Sequence, residues 1–229
     1  MIITIDGSVA TGKSTIAKKL AESIGFIFFD TGAMYRALTY GILKNKIDIH
    51  QPDQLQSYLN KFDLDITIHR SERRYIVEEE DVTLKIREEF VTSAVSAISA
   101  IKAVRDKLVA LQRELSIGVN AVFEGRDMGT VVFPDAALKV FLTGRDEVRA
   151  QRRLAELKTK FPESTKDLTL KKCLEEINKR DHYDMHRENS PLKQASDAFV
   201  VDTSDLTVDE IVFRILEYKD SRKTKGMRF

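Results

Sequence analysis

Hydrophobic positions along the chain switch between two periods. Ile2 to Ile5 is a short apolar run that predicts a strand; Ile16, Leu20 and Ile24 then recur at helical spacing and stop at Gly25, the residue type that commonly ends a helix. Phe26 to Phe29 predicts a second, fully buried strand, and Met34, Leu38 and Ile42 a second helix. Pro52 suits the first turn of a third helix, whose Leu55, Tyr58, Leu59 and Phe62 share one face. The period then shortens. Leu64, Ile66 and Ile68 alternate with Asp65, Thr67 and His69, and Tyr75 and Val77 start another extended piece after a polar turn, so residues 63–90 predict a small antiparallel insert. Helical spacing returns with Val91, Val95 and Ile98, and again with Val104, Leu108, Leu111 and Leu115. Val119 to Phe123 and Leu138 to Leu142 predict buried strands that run into polar clusters, Glu124 to Asp127 and Thr143 to Asp146. A helix from Asp146 to Leu157, a polar connector over 158–169, a charged helix to about Arg187, a strand Ala198 to Val201 and a helix with Val208, Ile211, Val212 and Ile215 complete the pattern. From Lys219 to Phe229 the chain is basic without apolar periodicity, which predicts a flexible tail.

Buried strands alternating with helices predict an α/β fold, a parallel sheet flanked by helices, with ligands gathered beyond the carboxyl ends of the strands. Both polar clusters fall there. The expected division is a main core over 1–62, 91–157 and 170–218, an inserted subdomain over 63–90, a lid over 158–169 and a tail over 219–229. Composition narrows the class. With 229 residues, 42% hydrophobic and 32% charged, the chain has enough apolar residues for one sizeable core, and its longest apolar runs are too short for a bilayer. The start, MIITIDG, reads as a strand and not as a leader peptide. The single cysteine, Cys173, excludes an internal disulfide and suits a reducing cytoplasm. A net charge of +1 argues against nucleic acid as a partner, so any anion site must be local. A monomer is expected, since no heptad is sustained.

The chemistry starts at the first loop. Gly7, Ser8, Val9, Ala10, Thr11, Gly12, Lys13 and Ser14 satisfy GxxxxGK[ST] directly between a strand and a helix. Glycines let backbone N–H groups and a helix N-terminus face a polyphosphate, Lys13 reaches its outer phosphates, and Ser14 can ligate Mg²⁺, with Thr15 beside it. A nucleoside triphosphate is therefore the expected ligand, and the loop alone leaves ATPase, GTPase and small-molecule kinase open. A GTPase would need an NKxD segment and a DxxG switch, and neither stands where it should. Instead the chain carries a second set of cations. Thr31 and Arg36 follow the second strand; Arg126 and Asp127 sit in a Gly-flanked strand end; Arg180, Asp184 and Arg187 share a helix face. Arg145, Arg149, Arg152 and Arg153 crowd another helix, an arrangement expected to repel itself unless an anion lies between them. Transfer to a second anion, as in a kinase acting on a nucleotide or another metabolite, and a nonenzymatic nucleotide switch both use such parts.

With these residues assembled, the chain resembles the bacterial cytidylate kinases of the nucleoside monophosphate kinase group, essentially over its whole length to about Tyr218. The likeness rests on TIDG before the loop, DTGAMYR, SAVSAIS followed by Val104 and Arg105, EGRDMGTVVFPDA, RRLAEL, RDHYDMHR and VVDTSDL. It implies a Rossmann-like P-loop core, an inserted monophosphate-binding subdomain and a short lid, with ATP and Mg²⁺ on the donor side and CMP or dCMP as acceptor. By the same resemblance Ser96, Arg105 and Asp127 read the cytosine edge; Arg36, Arg126 and Arg187 hold the acceptor phosphate; Arg180 and Asp184 lie at the sugar. Thr31 and Tyr35 belong to the acceptor set, and Lys13, Arg126 and Arg152 are the catalytic cations. One departure stands out. The family's loop usually begins GPxG, and here Ser8 and Ala10 occupy the Pro and Gly positions, so if that glycine has a positive φ this loop must be either adjusted or slightly strained at Ala10.

Overall fold

In the computed structural model, residues 1–69, 72–163 and 165–224 are described. The chain divides into two compact units, one formed by Met1–Phe29 and Ser116–Phe229, the other by Asp30–Leu115.

The first unit is organised by β1 (Ile2–Gly7), which lies between two parallel neighbours, β6 (Ala121–Gly125) and β7 (Leu138–Thr143). With β2 (Ile27–Asp30) and β8 (Phe199–Asp202) these make a five-stranded parallel sheet in the order β2-β6-β1-β7-β8. A parallel sheet covered on both faces needs near-continuous apolar strands, and Ile3, Ile5, Val122, Leu138, Val140 and Leu142 are all buried. Against them packs α1 (Lys13–Ile24), through Ile16, Ala17, Leu20 and Ala21, and also α8 (Val208–Thr224), through Ile211, Val212 and Ile215. Near the β2 edge Phe29 stacks on Phe123 and Phe133 tilts against Phe123, each pair of ring centroids 4.6 Å apart. The second predicted strand was expected to be wholly buried; it begins at Ile27, which is 38% exposed, because β2 is an edge strand less completely covered.

Two further helices, α6 (Asp146–Lys160) and α7 (Leu170–His186), pack side by side around Ala150, Cys173 and Ile177, with Val9 of the first loop seated in the same cluster. The tail departs from expectation. α8 continues through Lys219 to Thr224, since Tyr218 stacks flat on Phe199 of β8 at 4.1 Å and the stem of Lys219 is buried. That anchor is tertiary, and apolar periodicity does not register it. Residues 225–229 lie outside the described residues.

The second unit holds α2 (Thr31–Lys44), α3 (Pro52–Lys61), the antiparallel strands β3 (Leu64–His69), β4 (Glu72–Val77) and β5 (Glu80–Asp81), then α4 (Glu89–Ile98) and α5 (Lys102–Leu115). Leu64 pairs opposite Val77 and Ile66 opposite Tyr75, the alternation read in the sequence. Three short strands cannot bury a core alone. Leu64, Tyr75 and Val77 therefore join Met34, Leu38, Leu55, Leu59, Val91 and Leu108 in one cluster, and the compact unit spans Asp30–Leu115 where the pattern change had marked only 63–90. Among the described residues no helix is long and apolar enough to cross a membrane.

Candidate active site

The loop after β1 takes its shape from backbone necessity. A Cβ on Gly7 would run into the carbonyl oxygen of Leu142 in β7, so only glycine lets the chain leave the sheet there. Gly12 is left-handed (φ 88°) and caps α1 without a side chain, which leaves first-turn N–H groups of α1 facing outward for an anion. Between them Ala10 is also left-handed, at φ 58°, so of the two alternatives, an adjusted loop or a strained residue, the chain takes the second. The loop polar groups turn inward on Ser8, whose carbonyl accepts from Lys13 Nζ at 2.7 Å and from the Thr11 hydroxyl at 3.0 Å.

Lys13 is buried, and that burial, reinforced by the positive charge of Arg126, lowers its pKa to about 7, with Glu124 and Asp181 opposing the shift. Arg180 adds to the positive side. A lysine so placed gains by meeting anionic phosphate. The neighbouring hydroxyl, Ser14 Oγ, donates to the carboxylate of Glu124 at the end of β6. Asp6, at the end of β1, accepts from the backbone N–H groups of Met128 (2.9 Å) and Gly129 (2.8 Å), which fixes the chain that follows Arg126 and Asp127. Its burial raises its pKa to about 6.

β6 and α7 then bring the predicted acceptor cations together. Arg126 Nε donates to Asp184 Oδ2 at 3.0 Å; Arg187 Nη2 lies 3.5 Å from Asp127 Oδ1 and its Nη1 3.9 Å from Asp184 Oδ1. Asp127, Asp184 and Arg187 are all buried. Arg187 lies just past the end of α7 as its C-cap, not on the helix face with Arg180 and Asp184 as expected, and with Asp184 it meets the chain that ends β6. Within the second unit, Asp30 caps α2 by accepting from Ala33 N at 2.8 Å, placing buried Thr31 and Tyr35 in its first turns. The Arg105 guanidinium lies over the Tyr35 ring, 5.4 Å from its centroid, and donates to the Ser99 carbonyl at 3.3 Å. Arg36 donates to Thr92 Oγ1 at 2.7 Å, and Ser96 stands half-buried on α4.

The arginines of α6 do not repel one another as expected. Arg145 pairs with Asp205, Arg149 with Asp146 and Asp181, and Arg153 with Glu156, while Arg152 donates to the Thr203 carbonyl at 2.6 Å. Each charge has its own protein partner, supplied largely by residues distant in sequence, so no bound anion is required to hold them side by side. Three residues of the site escaped sequence reasoning, Asp6, Asp181 and Thr203, while Glu124 was read only as part of the polar cluster at a strand end. Asp6 carried a usable signal, an acidic residue immediately before glycine at a strand end; Asp181 and Thr203 did not.

A Gly-bounded GxxxxGK[ST] loop between a parallel strand and a helix, with a buried lysine and a second cluster of paired arginines and aspartates, defines a P-loop phosphotransferase. Known proteins agree with the class and sharpen it. The cytidylate kinase family profile matches residues 3–221. The cytidylate kinase of Protochlamydia amoebophila (strain UWE25) is 71% identical over 98% of this chain and 99% of its own, and that of Caldicellulosiruptor bescii is 43% identical over 94% and 93%. Among solved structures, the shikimate kinase of Bacteroides thetaiotaomicron shares the fold with a TM-score of 0.52 at 15% identity, covering 96% of this chain and 98% of its own. The chain belongs to the cytidylate kinase family: it is a nucleoside monophosphate kinase that phosphorylates CMP and dCMP with ATP.

Proposed function

We propose that the reaction is divided among the residues as follows. The loop from Gly7 to Thr15 cradles the donor's phosphates with backbone N–H groups, and Lys13 exchanges the Ser8 carbonyl for phosphate oxygen. Ser14 and Glu124 form an all-oxygen pair that suits Mg²⁺, an ion that keeps most of its ligands as phosphate and water. When bound, the ion offsets the charge of the outer phosphates. Arg36, Arg126 and Arg187 hold the acceptor's phosphate. Ser96, Arg105 and Asp127 supply the donors and acceptors that an aminopyrimidine edge requires, with Thr31 and Tyr35 beside them, and Arg180 and Asp184 take the ribose. Arg152 serves the transferring group by releasing the Thr203 carbonyl. An acceptor phosphate oxygen is already a nucleophile at neutral pH, so the protein's work is alignment in line, charge stabilisation and exclusion of water. The connector over 158–169 acts as the lid, and the enzyme works as a cytoplasmic monomer on free nucleotides.

The observation that carries this reading is the buried Lys13 in a P-loop, its amine held on the Ser8 carbonyl, with Arg126 and Arg180 bearing on it against Glu124 and Asp181. The test is ADP release from wild type and Lys13→Ala with CMP, dCMP, UMP, AMP or no acceptor. Wild type turns over best with CMP and dCMP, and Lys13→Ala loses at least about a hundredfold in kcat while still folding and unfolding cooperatively. Near-normal turnover of the variant overturns the donor assignment.

A further inference from the structure

We propose that the buried ion pair between Arg149 of α6 and Asp181 of α7 is a positioning device for the P-loop, acting through Val9. It rests on the reading that this loop holds the phosphates of ATP. Both backbone groups of Val9 are taken by the pair: its N–H donates to Asp181 Oδ1 at 2.9 Å, and its carbonyl accepts from Arg149 Nη1 at 2.8 Å. The same Arg149 nitrogen reaches Asp181 Oδ2 at 2.5 Å, which closes a ring of charge-assisted bonds around one residue. Both side chains are nearly inaccessible, at 5% and 7% exposure. Arg149 is braced further by the Gly144 carbonyl at 3.1 Å and Asp146 at 2.6 Å, and the Val9 side chain sits in the apolar cluster of α6 and α7.

The residue that follows is Ala10, left-handed at φ 58°. A non-glycine residue stays in that conformation only where its surroundings over-determine it, and here the surroundings are a peptide gripped on both sides by two helices. Releasing the grip frees Ala10 to leave the left-handed region, and the N–H groups that follow lose their common aim. Both charged groups spend their hydrogen bonds on the loop and on their braces. They are positioning residues.

The experiment is a double-mutant cycle on Asp181→Asn and Ala10→Gly, with Lys13→Ala alongside. The amide that replaces the Asp181 carboxylate turns a donor toward Arg149 and breaks the ring while keeping the volume. Expected for Asp181→Asn is a rise of about tenfold in KM for ATP, with KM for CMP within about threefold of wild type. Adding Ala10→Gly recovers most of that rise, because glycine holds a positive φ without steric cost and the competent loop is repopulated. An unchanged KM for ATP in Asp181→Asn overturns the proposal. So does a rise that Ala10→Gly fails to lessen, the result expected if the pair contacts nucleotide directly or only supports the fold. If Asp181→Asn does not fold by thermal unfolding, Arg149→Gln with Asp181→Asn, which strands neither charge, takes its place in the cycle under the same criteria. Loss of turnover in Lys13→Ala with a normal KM in Asp181→Asn refutes only the positioning role; turnover retained in Lys13→Ala refutes the phosphate reading beneath it.

Discussion

Ala10 holds a left-handed conformation that costs an L-residue about 1–2 kcal/mol relative to the right-handed one. That this position would be either adjusted or strained was legible from comparing one residue type with another in a motif, and motif positions are legible because they prescribe backbone geometry. Lys13 was legible for the same reason, but its protonation was not, since burial and Arg126 arise only in the folded chain. With its folded pKa at about 7, below the ordinary 10.5, the unfolded chain binds the extra proton between these values, so this group makes stability rise with pH across that window. Donor phosphates reverse the shift. Binding of ATP is therefore expected to take up a proton above about pH 7, with affinity falling as pH rises toward 9. Titration calorimetry at pH 8 in two buffers of different ionisation enthalpy measures it: uptake between zero and one proton in wild type, and none attributable to this group in Lys13→Ala.

At the scale of elements, hydrophobic period placed the main strands and helices of both units to within a few residues, because each buries one face or both against a layer. What period could not show was an element held by a contact outside its own repeat. α8 is the case, continued past Ile215 by Tyr218 lying on Phe199 at an interplanar angle of 7°. Tyr218→Ala is expected to cost about 2 kcal/mol and to fray the helix from Lys219 onward, read as a lower melting temperature and weaker far-ultraviolet helical signal; Tyr218→Phe keeps both. The ion pairs of α6 are a second case. Spacing put four arginines on one helix but could not reveal Asp181 or Asp205, which the fold delivers from 32 and 60 residues away.

For the whole molecule, the two units divide their apolar residues into separate clusters, one behind the parallel sheet and one joining the antiparallel strands to α2 through α5. A change of period marks where strands begin, not where a core ends, so the second unit is wider than its antiparallel part. The charges divide in the same manner. A chain with a net charge of +1 carries 37 basic and 36 acidic side chains, and folding gathers both signs around Lys13, Arg126 and Arg180 against Glu124 and Asp181, while Arg145 and Arg149 are held in ion pairs with Asp205 and Asp181.

The cluster between α6 and α7 has a chemical consequence. Its Cys173, the sole thiol of the chain, is fully inaccessible, and burial pushes its pKa up, so neither the solvent nor the reactive thiolate is at hand in the folded state. Iodoacetamide can label it only when the two helices part. The alkylation rate is thus a clock for that opening. It is expected to run at least about a hundredfold slower than in urea, and slower again at saturating ATP if nucleotide binding favours the packed pair; labelling at the rate of an exposed thiol would refute the packing itself.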